Sequence, residues 1–284
     1  MKINHTFRGW SLSLMFLWLL FFAVLPFTLV LVASFLSHND VSILARPFTL
    51  QNYSNLNHSV YWRIFENSFL IAGTATLCCL ILGYPFAYII ARIESRFKNT
   101  LMLLVIIPFW TSSLIRSYAL IAIIKAKGVL NTLLLSLGII HQPLSILFTN
   151  TAVIIGLVYN LLPFMVLPLM TNIERLDTRL IDAAYDLGAN RFTTFRRVII
   201  PLTMPGIIAG SILVFLPAMT LFYIPDILGG AKSILIGNLI QNQFIVAENW
   251  PMGSMFSVML TLILATLILI YVRVSRGDQK QEWL

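Results

Sequence analysis

The stretch DTRLIDAAYDLGANRFTTFRRVIIPLTMP, which runs from Asp177 to Pro205, is the longest charged segment of this 284-residue chain. It contains four arginines and three aspartates, whereas the segments on either side of it are almost free of charge. A segment of this kind can be a solvated linker between two apolar helices, or it can be a docking element for another protein. The composition of the remaining chain narrows that choice.

The composition is typical of a membrane protein. Hydrophobic residues make up 58% of the chain and charged residues only 11%, against about 25% charged residues in a typical soluble domain. Many apolar residues lie in uncharged runs about as long as the roughly 20 residues that a helix needs to cross a bilayer. We therefore predict an all-α, polytopic membrane protein in which residues 1–284 form a single transmembrane domain.

Six apolar runs are predicted to be transmembrane helices. The first follows Lys2 and Arg8, as in a signal peptide, but it is longer than the apolar core of a signal peptide and is expected to be a retained span. The segment Leu130–Ile140 is too short to cross a bilayer, which favours an interfacial or re-entrant helix. The predicted spans lie at about residues 10–36, 67–91, 101–124, 151–170, 206–224 and 252–272, with a long polar loop at 171–205.

Basic residues are concentrated in the loops on one side of the predicted spans. That side includes both termini and the 171–205 loop and has thirteen Lys and Arg residues, whereas the opposite side has five. Because basic loops tend to stay in the cytoplasm, the termini and this loop are predicted to be cytoplasmic. The net charge of +8 follows this distribution, so nucleic acid is not an expected partner.

The sequence has no recognisable motif for catalysis, nucleotide binding or metal binding. The segment Gly229-Gly230-Ala231-Lys232-Ser233 lacks the spacing of a phosphate-binding loop. The four histidines are scattered, and Cys78 and Cys79 are adjacent within an apolar run, where neighbouring side chains point in different directions. The chain is therefore predicted to have no catalytic residue, no metal site and no cofactor of its own.

The segment from Asp177 to Pro205 has the pattern of two short helices joined at a glycine. Asp177 can cap the first helix, and Gly188 stands where that helix would end in the left-handed conformation. Asn190 can start the second helix. The first helix would have an apolar stripe of Leu180, Ala183, Ala184 and Leu187, and the second would carry Phe192, Phe195 and Val198 and end at Pro201 and Pro205.

The same segment resembles the EAA loop of ABC-importer permeases. Asp182-Ala183-Ala184 is followed by three residues, Gly188, nine residues and then Val198-Ile199-Ile200-Pro201. The family pattern is Glu-Ala-Ala, three residues, Gly, nine residues and Ile-x-Leu-Pro. The departures at Asp182, Val198 and Ile200 keep the acidic or apolar character of each position.

Further segments are similar to the B-type permeases of spermidine/putrescine importers, and this similarity extends from about residue 25 to residue 275. It implies a type I ABC-importer permease fold in a bacterial inner membrane. It also implies a second, homologous permease subunit, two copies of an ATPase that binds Mg-ATP, and a periplasmic polyamine-binding protein. The segments are Leu82–Ala87, Pro108–Thr111, Gly156–Tyr159, Leu162–Met165, Pro201–Ile207 and Gly229–Lys232.

The resemblance also assigns roles to residues of the 171–205 loop, hereafter the coupling loop. By this resemblance, the coupling loop would transmit closure of the ATPase to the membrane spans. The residues that make this connection would be Asp182, Ala183, Ala184, Gly188 and Pro201. Two other interpretations stay open. One is a permease for another small cationic or polar solute delivered by a binding protein. The other is a stand-alone secondary transporter, which would predict paired ionisable residues in the spans and internal repeats.

A polyamine path would need carboxylates, carbonyl oxygens and aromatic faces, because ammonium groups are attracted to aromatic rings. Aromatic residues in spans also serve as packing or interfacial residues, so each candidate has an alternative role. Arg116, a charge within a span, is expected to pair with the partner permease or to reach the outer surface. Glu66 is expected to be a carboxylate at the end of a helix rather than a ligand for the solute. The path candidates are Phe109, Trp110, Tyr159, Asn160, Phe222, Tyr223 and Asp226.

Overall fold

The computed structural model describes residues 13–39, 42–230 and 233–279, most of which are helical. The start of the first predicted span, residues 10–12, and the Ala231-Lys232 pair lie outside the described residues. The chain forms two compact units. The first comprises the residues up to Arg63 together with Leu239–Leu267, and the second comprises Ile64–Asn238 and the residues from Ile268 onward.

The first unit begins with α1 (Ser13–Ala33), whose side chains are almost all exposed, as expected for a helix surrounded by lipid. Two antiparallel strands follow, β1 (Leu36–Asn39) and β2 (Ser42–Phe48), and then the short helix α2 (Gln51–Ser54). This hairpin was not predicted from the sequence. It lies in the polar segment that follows the first span.

Asn52 of α2 fixes the end of α1 beside the hairpin. Its side chain is buried, and Nδ2 donates hydrogen bonds to the carbonyl oxygens of Ser34 and Leu36, at 3.1 and 2.9 Å. The hydroxyls of Ser34 and Tyr53 are also hydrogen-bonded, at 2.9 Å. The first of these contacts satisfies the carbonyl group of Ser34, which the end of α1 leaves without an intrahelical donor.

The remaining helices are α3 to α11. They are α3 (Ser59–Arg92), α4 (Ser95–Ile106), α5 (Ser113–Ile124), α6 (Val129–Ser136), α7 (Asn150–Glu174), α8 (Thr178–Asp186), α9 (Arg191–Thr220), α10 (Ile236–Ile245) and α11 (Trp250–Gln279).

Six helical segments are long and apolar enough to cross a membrane, in agreement with the predicted number of spans. In the described part of the chain they are Ser13–Ala33, Ser59–Arg92, Ser113–Ser136, Asn150–Glu174, Arg191–Thr220 and Trp250–Arg273. The third of these includes both α5 and α6, which are separated by a turn at Lys125–Gly128.

The third predicted span, 101–124, is divided in the structure. The helix α4 ends at Ile106, a 3₁₀ turn covers Ile107–Trp110, and α5 starts only at Ser113. Pro108 has no backbone N–H and cannot continue the helical hydrogen-bond pattern. The hydroxyl of Thr111 donates to the carbonyl of Pro108 at 2.7 Å. This hydrogen bond satisfies a backbone carbonyl group at the break in the helix.

The prediction that Pro201 and Pro205 end the second helix of the coupling loop is wrong. The helix continues through both prolines as α9 and reaches Thr220. A π-helical turn at Phe195–Ile199 precedes Pro201, and the backbone N–H of Ile200 donates to the carbonyl of Phe195, five residues earlier. A π turn changes the local hydrogen-bond register, so the missing donor of Pro201 interrupts the helix less than it would in a regular α-helix.

Close packing of α7 against α9 forms the centre of the second unit. The inner face of α7 is almost fully buried, and Gly206 of α9 lies directly against it. A Cβ atom at Gly206 would be only 2.7 Å from the Cβ of Asn172 and 3.2 Å from the carbonyl oxygen of Pro168. Small residues of this kind allow two membrane helices to approach closely.

We predict that Gly206→Ala lowers the melting temperature of the purified protein in detergent, because the added methyl group forces α7 and α9 apart. Overpacking of this kind costs about 1–3 kcal/mol. Gly73→Ala is the matched control, since a Cβ at Gly73 meets no atom within 4 Å. This variant should not lower the melting temperature. Equal melting temperatures for the two variants would contradict the packing argument.

Candidate functional site

The coupling loop folds as two helices joined by a tight glycine turn. Oδ1 of Asp177 accepts a hydrogen bond from the backbone N–H of Arg179 at 3.0 Å, and Oδ1 of Asn190 accepts one from Thr193 at 2.8 Å. Gly188 has φ of +81° between these two caps. The predicted caps and the left-handed glycine are confirmed, so the loop is an ordered element with fixed ends.

The apolar stripe of α8 is exposed. No residue of α8 is buried, although Leu180 and Tyr185 are large apolar or aromatic side chains. Leu187, directly after the helix, is 88% exposed. Asp182 and Ala183 are exposed as well, and Ala184 is half-buried. A compact helix with an uncovered apolar face has the properties of a docking surface.

Tyr84 of α3 holds the base of the coupling loop. Its buried hydroxyl is 2.9 Å from the hydroxyl of Thr203 on α9, and its ring packs edge-on against Phe195, with centroids 5.7 Å apart. The Thr203 hydroxyl in turn donates to the carbonyl of Ile199 at 2.8 Å. Tyr84 therefore joins α3 to the π turn and to the start of the long helix α9.

A second link lies at the same end of the helices. Nζ of Lys98, in the first turn of α4, is 2.8 Å from Oε1 of Glu174, at the end of α7. Both side chains are about three-quarters buried. An ion pair that is partly shielded from water is worth more than a fully exposed one, so it ties α4 to the helix that leads into the coupling loop.

An open cleft of about 660 Å³ brings several predicted path residues together. It is lined by the break between α4 and α5, by α7, and by the residues around the end of α9. The cleft, hereafter the aromatic cleft, contains Phe109, Trp110, Arg116, Asn160 and Tyr223.

Asn160 and Arg116 are the buried polar groups of the aromatic cleft. Asn160 is 3% exposed, and its Nδ2 donates to the carbonyl of Gly156 at 2.9 Å, while Oδ1 has no hydrogen-bond partner among the described residues. Arg116 is 8% exposed and likewise has no such partner for Nε. Buried polar atoms without partners are costly, and both of these atoms are shielded from the open space of the cleft.

The other three path candidates lie outside the aromatic cleft. Tyr159 lines a neighbouring cavity of about 240 Å³, which also includes Arg116. Phe222 is exposed beside Tyr223, with ring centroids 6.0 Å apart. Asp226 is also exposed. Glu66 of α3 is exposed and lines neither cavity.

Asn238 is a residue that the sequence alone did not single out. Its buried Nδ2 donates to the carboxylate of Asp226 and, at 2.7 Å, to the carbonyl of Phe222. Its Oδ1 accepts from the backbone N–H of Leu235 at 3.1 Å. One amide thus fixes the carboxylate of Asp226 and both ends of the irregular segment that carries it.

A family model described as "Binding-protein-dependent transport system inner membrane component" matches residues 83–276. The chain belongs to this family. It is a multi-pass inner-membrane component of a transport system, and the coupling loop and the aromatic cleft lie within the matched residues.

Individual relatives of this permease match over most of their length. The spermidine/putrescine transport system permease protein PotB of Haemophilus influenzae is 50% identical over 274 residues, which are 96% of each chain. PotB of Escherichia coli is 51% identical over 259 residues, covering 91% of this chain and 94% of PotB. The inner membrane ABC transporter permease protein YdcU of Escherichia coli is 32% identical over 254 residues, 84% of this chain and 80% of YdcU.

Solved structures support the fold of this permease. A chain from a bacterial ABC transporter that imports the polysaccharide alginate has a TM-score of 0.75 and 16% identity, covering 95% of this chain and 96% of that chain. A chain from the alginate transporter in complex with a pentasaccharide-bound periplasmic protein has a TM-score of 0.76 and 17% identity, covering 96% of both chains. At this identity the likeness establishes a shared ABC-importer permease fold.

We predict that the Tyr84–Thr203 hydrogen bond has an asymmetric effect on stability. Thr203→Val leaves the buried Tyr84 hydroxyl without a partner, at a cost of about 1–3 kcal/mol, whereas Tyr84→Phe removes that hydroxyl and costs about 0.5–1.5 kcal/mol. The double variant should lose less stability than the sum of the losses in the two single variants. Unfolding in detergent, followed by circular dichroism, measures this cycle, and strictly additive losses would show that the two hydroxyls do not interact.

Proposed function

We propose that this chain is a permease subunit of an ATP-driven importer that moves polyamines into the cytoplasm. The observation that carries the proposal is its identity of about 50% to spermidine/putrescine permeases over nearly the whole chain. The aromatic cleft supports it, since Phe109, Trp110 and Tyr223 offer ring faces to an ammonium group.

The energy for transport comes from a separate chain in this proposal. Two copies of a cytoplasmic ABC ATPase bind Mg-ATP, and each permease subunit presents its coupling loop to one of them. The exposed stripe around Leu180 and Leu187 is the surface that the ATPase covers. The caps at Asp177 and Asn190 keep this surface rigid enough to transmit movement to α7 and α9.

The other partners are a second, homologous permease and a periplasmic binding protein that delivers the polyamine. The second permease closes the open side of the aromatic cleft. Both termini and the coupling loop lie in the cytoplasm, which agrees with the concentration of arginines at residues 175–197. The binding protein then approaches the opposite side, where the segment from Leu221 to Gly230 lies.

Asp226 is the carboxylate that meets the cation in this scheme. It is exposed, and Asn238 donates a hydrogen bond to its carboxylate. An exposed negative charge is a favourable first contact for an ammonium group.

A second candidate function is import of another small cationic or polar solute. One observation favours it: Arg116 places a positive charge in the aromatic cleft, whose described lining residues include no carboxylate. Competition distinguishes the two candidates. In cells that express the complete importer, uptake of labelled spermidine should be reduced by excess putrescine and not by arginine or choline.

We predict that Leu187→Asp abolishes assembly with the ATPase, because it places a charge on the proposed docking stripe. The matched control is Leu137→Asp, which alters a 62% exposed leucine at the equivalent position after α6. Co-purification of the ATPase with each tagged variant is the measurement. If Leu187→Asp retains the ATPase as well as Leu137→Asp does, α8 is not the docking element.

We predict that Asp226→Asn raises the spermidine concentration for half-maximal uptake by about tenfold. The substitution removes the charge but keeps an oxygen that can accept from Asn238, so the local structure is retained. A tenfold change corresponds to about 1.4 kcal/mol, a reasonable value for one charged contact. Glu66→Gln is the matched loss of an exposed carboxylate and should leave uptake unchanged. An unaltered concentration in Asp226→Asn would remove Asp226 from the path.

A further inference from the structure

Arg116 lies where two cavities meet. On one side is the aromatic cleft, of about 660 Å³, which reaches Thr111 and Tyr223. On the other side is the 240 Å³ cavity, lined mainly by apolar residues that include Phe86 and Leu104. Phe86 is two residues from Tyr84, which holds the base of the coupling loop, so this smaller cavity lies towards the coupling-loop end of the helices.

Aromatic rings hold the Arg116 guanidinium at this junction. Its central carbon is 5.2 Å from the ring centroid of Phe109 and 6.0 Å from that of Tyr159. Phe109 lines the aromatic cleft and Tyr159 lines the smaller cavity. The positive charge is therefore held between the two spaces by cation–π contacts.

The charge of Arg116 is not neutralised by the residues around it. The described residues that line the two cavities include no Asp or Glu, and no ion pair to Arg116 is present in the described part of the chain. A buried charge in a membrane-spanning helix is expensive. A neutral side chain of similar size could fill the same space, so the charge itself requires an explanation.

We infer that Arg116 is a charge barrier that prevents small inorganic cations from passing between the two cavities. This inference depends on the proposed function, because a path suited to ammonium groups also admits sodium or potassium ions when it opens. A fixed positive charge at a constriction is a known means of excluding such ions.

A polyamine can pass this barrier in a way that an inorganic cation cannot. Its ammonium groups are joined by methylene chains, which can contact the apolar walls of the smaller cavity while an ammonium group replaces the guanidinium on Phe109 or Tyr159. The flexible stem of Arg116 allows its head group to move aside during this exchange. A single hydrated ion gains no comparable contact.

The test is sodium entry into liposomes that contain the complete importer, followed with a sodium-sensitive dye during ATP hydrolysis. A unit charge about 6 Å away, in an effective dielectric of about 20, disfavours a second cation by a factor on the order of 100. Water in the cleft weakens this effect, so we expect Arg116→Gln to increase sodium entry by about tenfold.

Two controls make this result specific. Arg116→Lys keeps the charge and should retain the low sodium entry of the unaltered protein. Arg96→Gln removes an exposed arginine outside both cavities and should also have no effect. If Arg116→Gln shows no increase in sodium entry, or if Arg116→Lys leaks as much as Arg116→Gln, the charge is not a barrier.

The outcome also separates this inference from the proposed function. If the unaltered importer fails to accumulate labelled spermidine, the proposed cargo is wrong, whereas the sodium comparison during ATP hydrolysis still decides the role of Arg116. If spermidine accumulates and Arg116→Gln stays impermeable to sodium, only the barrier is wrong.

Discussion

The close contact between α7 and α9 is the interaction on which the rest of the second unit depends. These two helices lead into and out of the coupling loop. At Gly206 they are so close together that a Cβ atom would not fit between them. A force applied to the loop is useful only if its two ends are held by such packing. Tyr84 extends this connection to α3, through one buried hydrogen bond and one edge-on ring contact.

Two of the irregular segments in the apolar part of the chain have a common location. Backbone groups in a bilayer must be hydrogen-bonded internally unless they line a cavity. The break at Pro108–Ser112 and the segment that follows Thr220 both contribute residues to the aromatic cleft. These two interruptions thus lie where a polar solute could use the side chains that they expose, which is the arrangement seen at the binding sites of other transporters.

Local features that have a recognised sequence signal could be predicted from the sequence, whereas long-range contacts could not. The caps at Asp177 and Asn190 and the left-handed Gly188 depend on residues only a few positions apart, and each was predicted correctly. The Tyr84–Thr203 contact joins residues 119 positions apart, and nothing in the pattern of the apolar run around Tyr84 indicates it. The continuation of α9 through Pro201 depends on a π turn, which has no sequence signal comparable to a cap. Asn238 was missed for a similar reason, since its three hydrogen bonds exist only once Phe222, Asp226 and Leu235 lie beside it in the folded chain.

Accumulation in sealed liposomes tests most directly the proposal that a separate ATPase drives polyamine import through this chain. The liposomes would contain both permeases and the ATPase, with ATP on the ATPase side and spermidine-loaded binding protein on the other side. Spermidine is expected to accumulate above its outside concentration only with hydrolysable ATP, and an ATPase unable to hydrolyse ATP is expected to abolish this accumulation. Accumulation driven by an ion gradient without ATP would contradict the proposal.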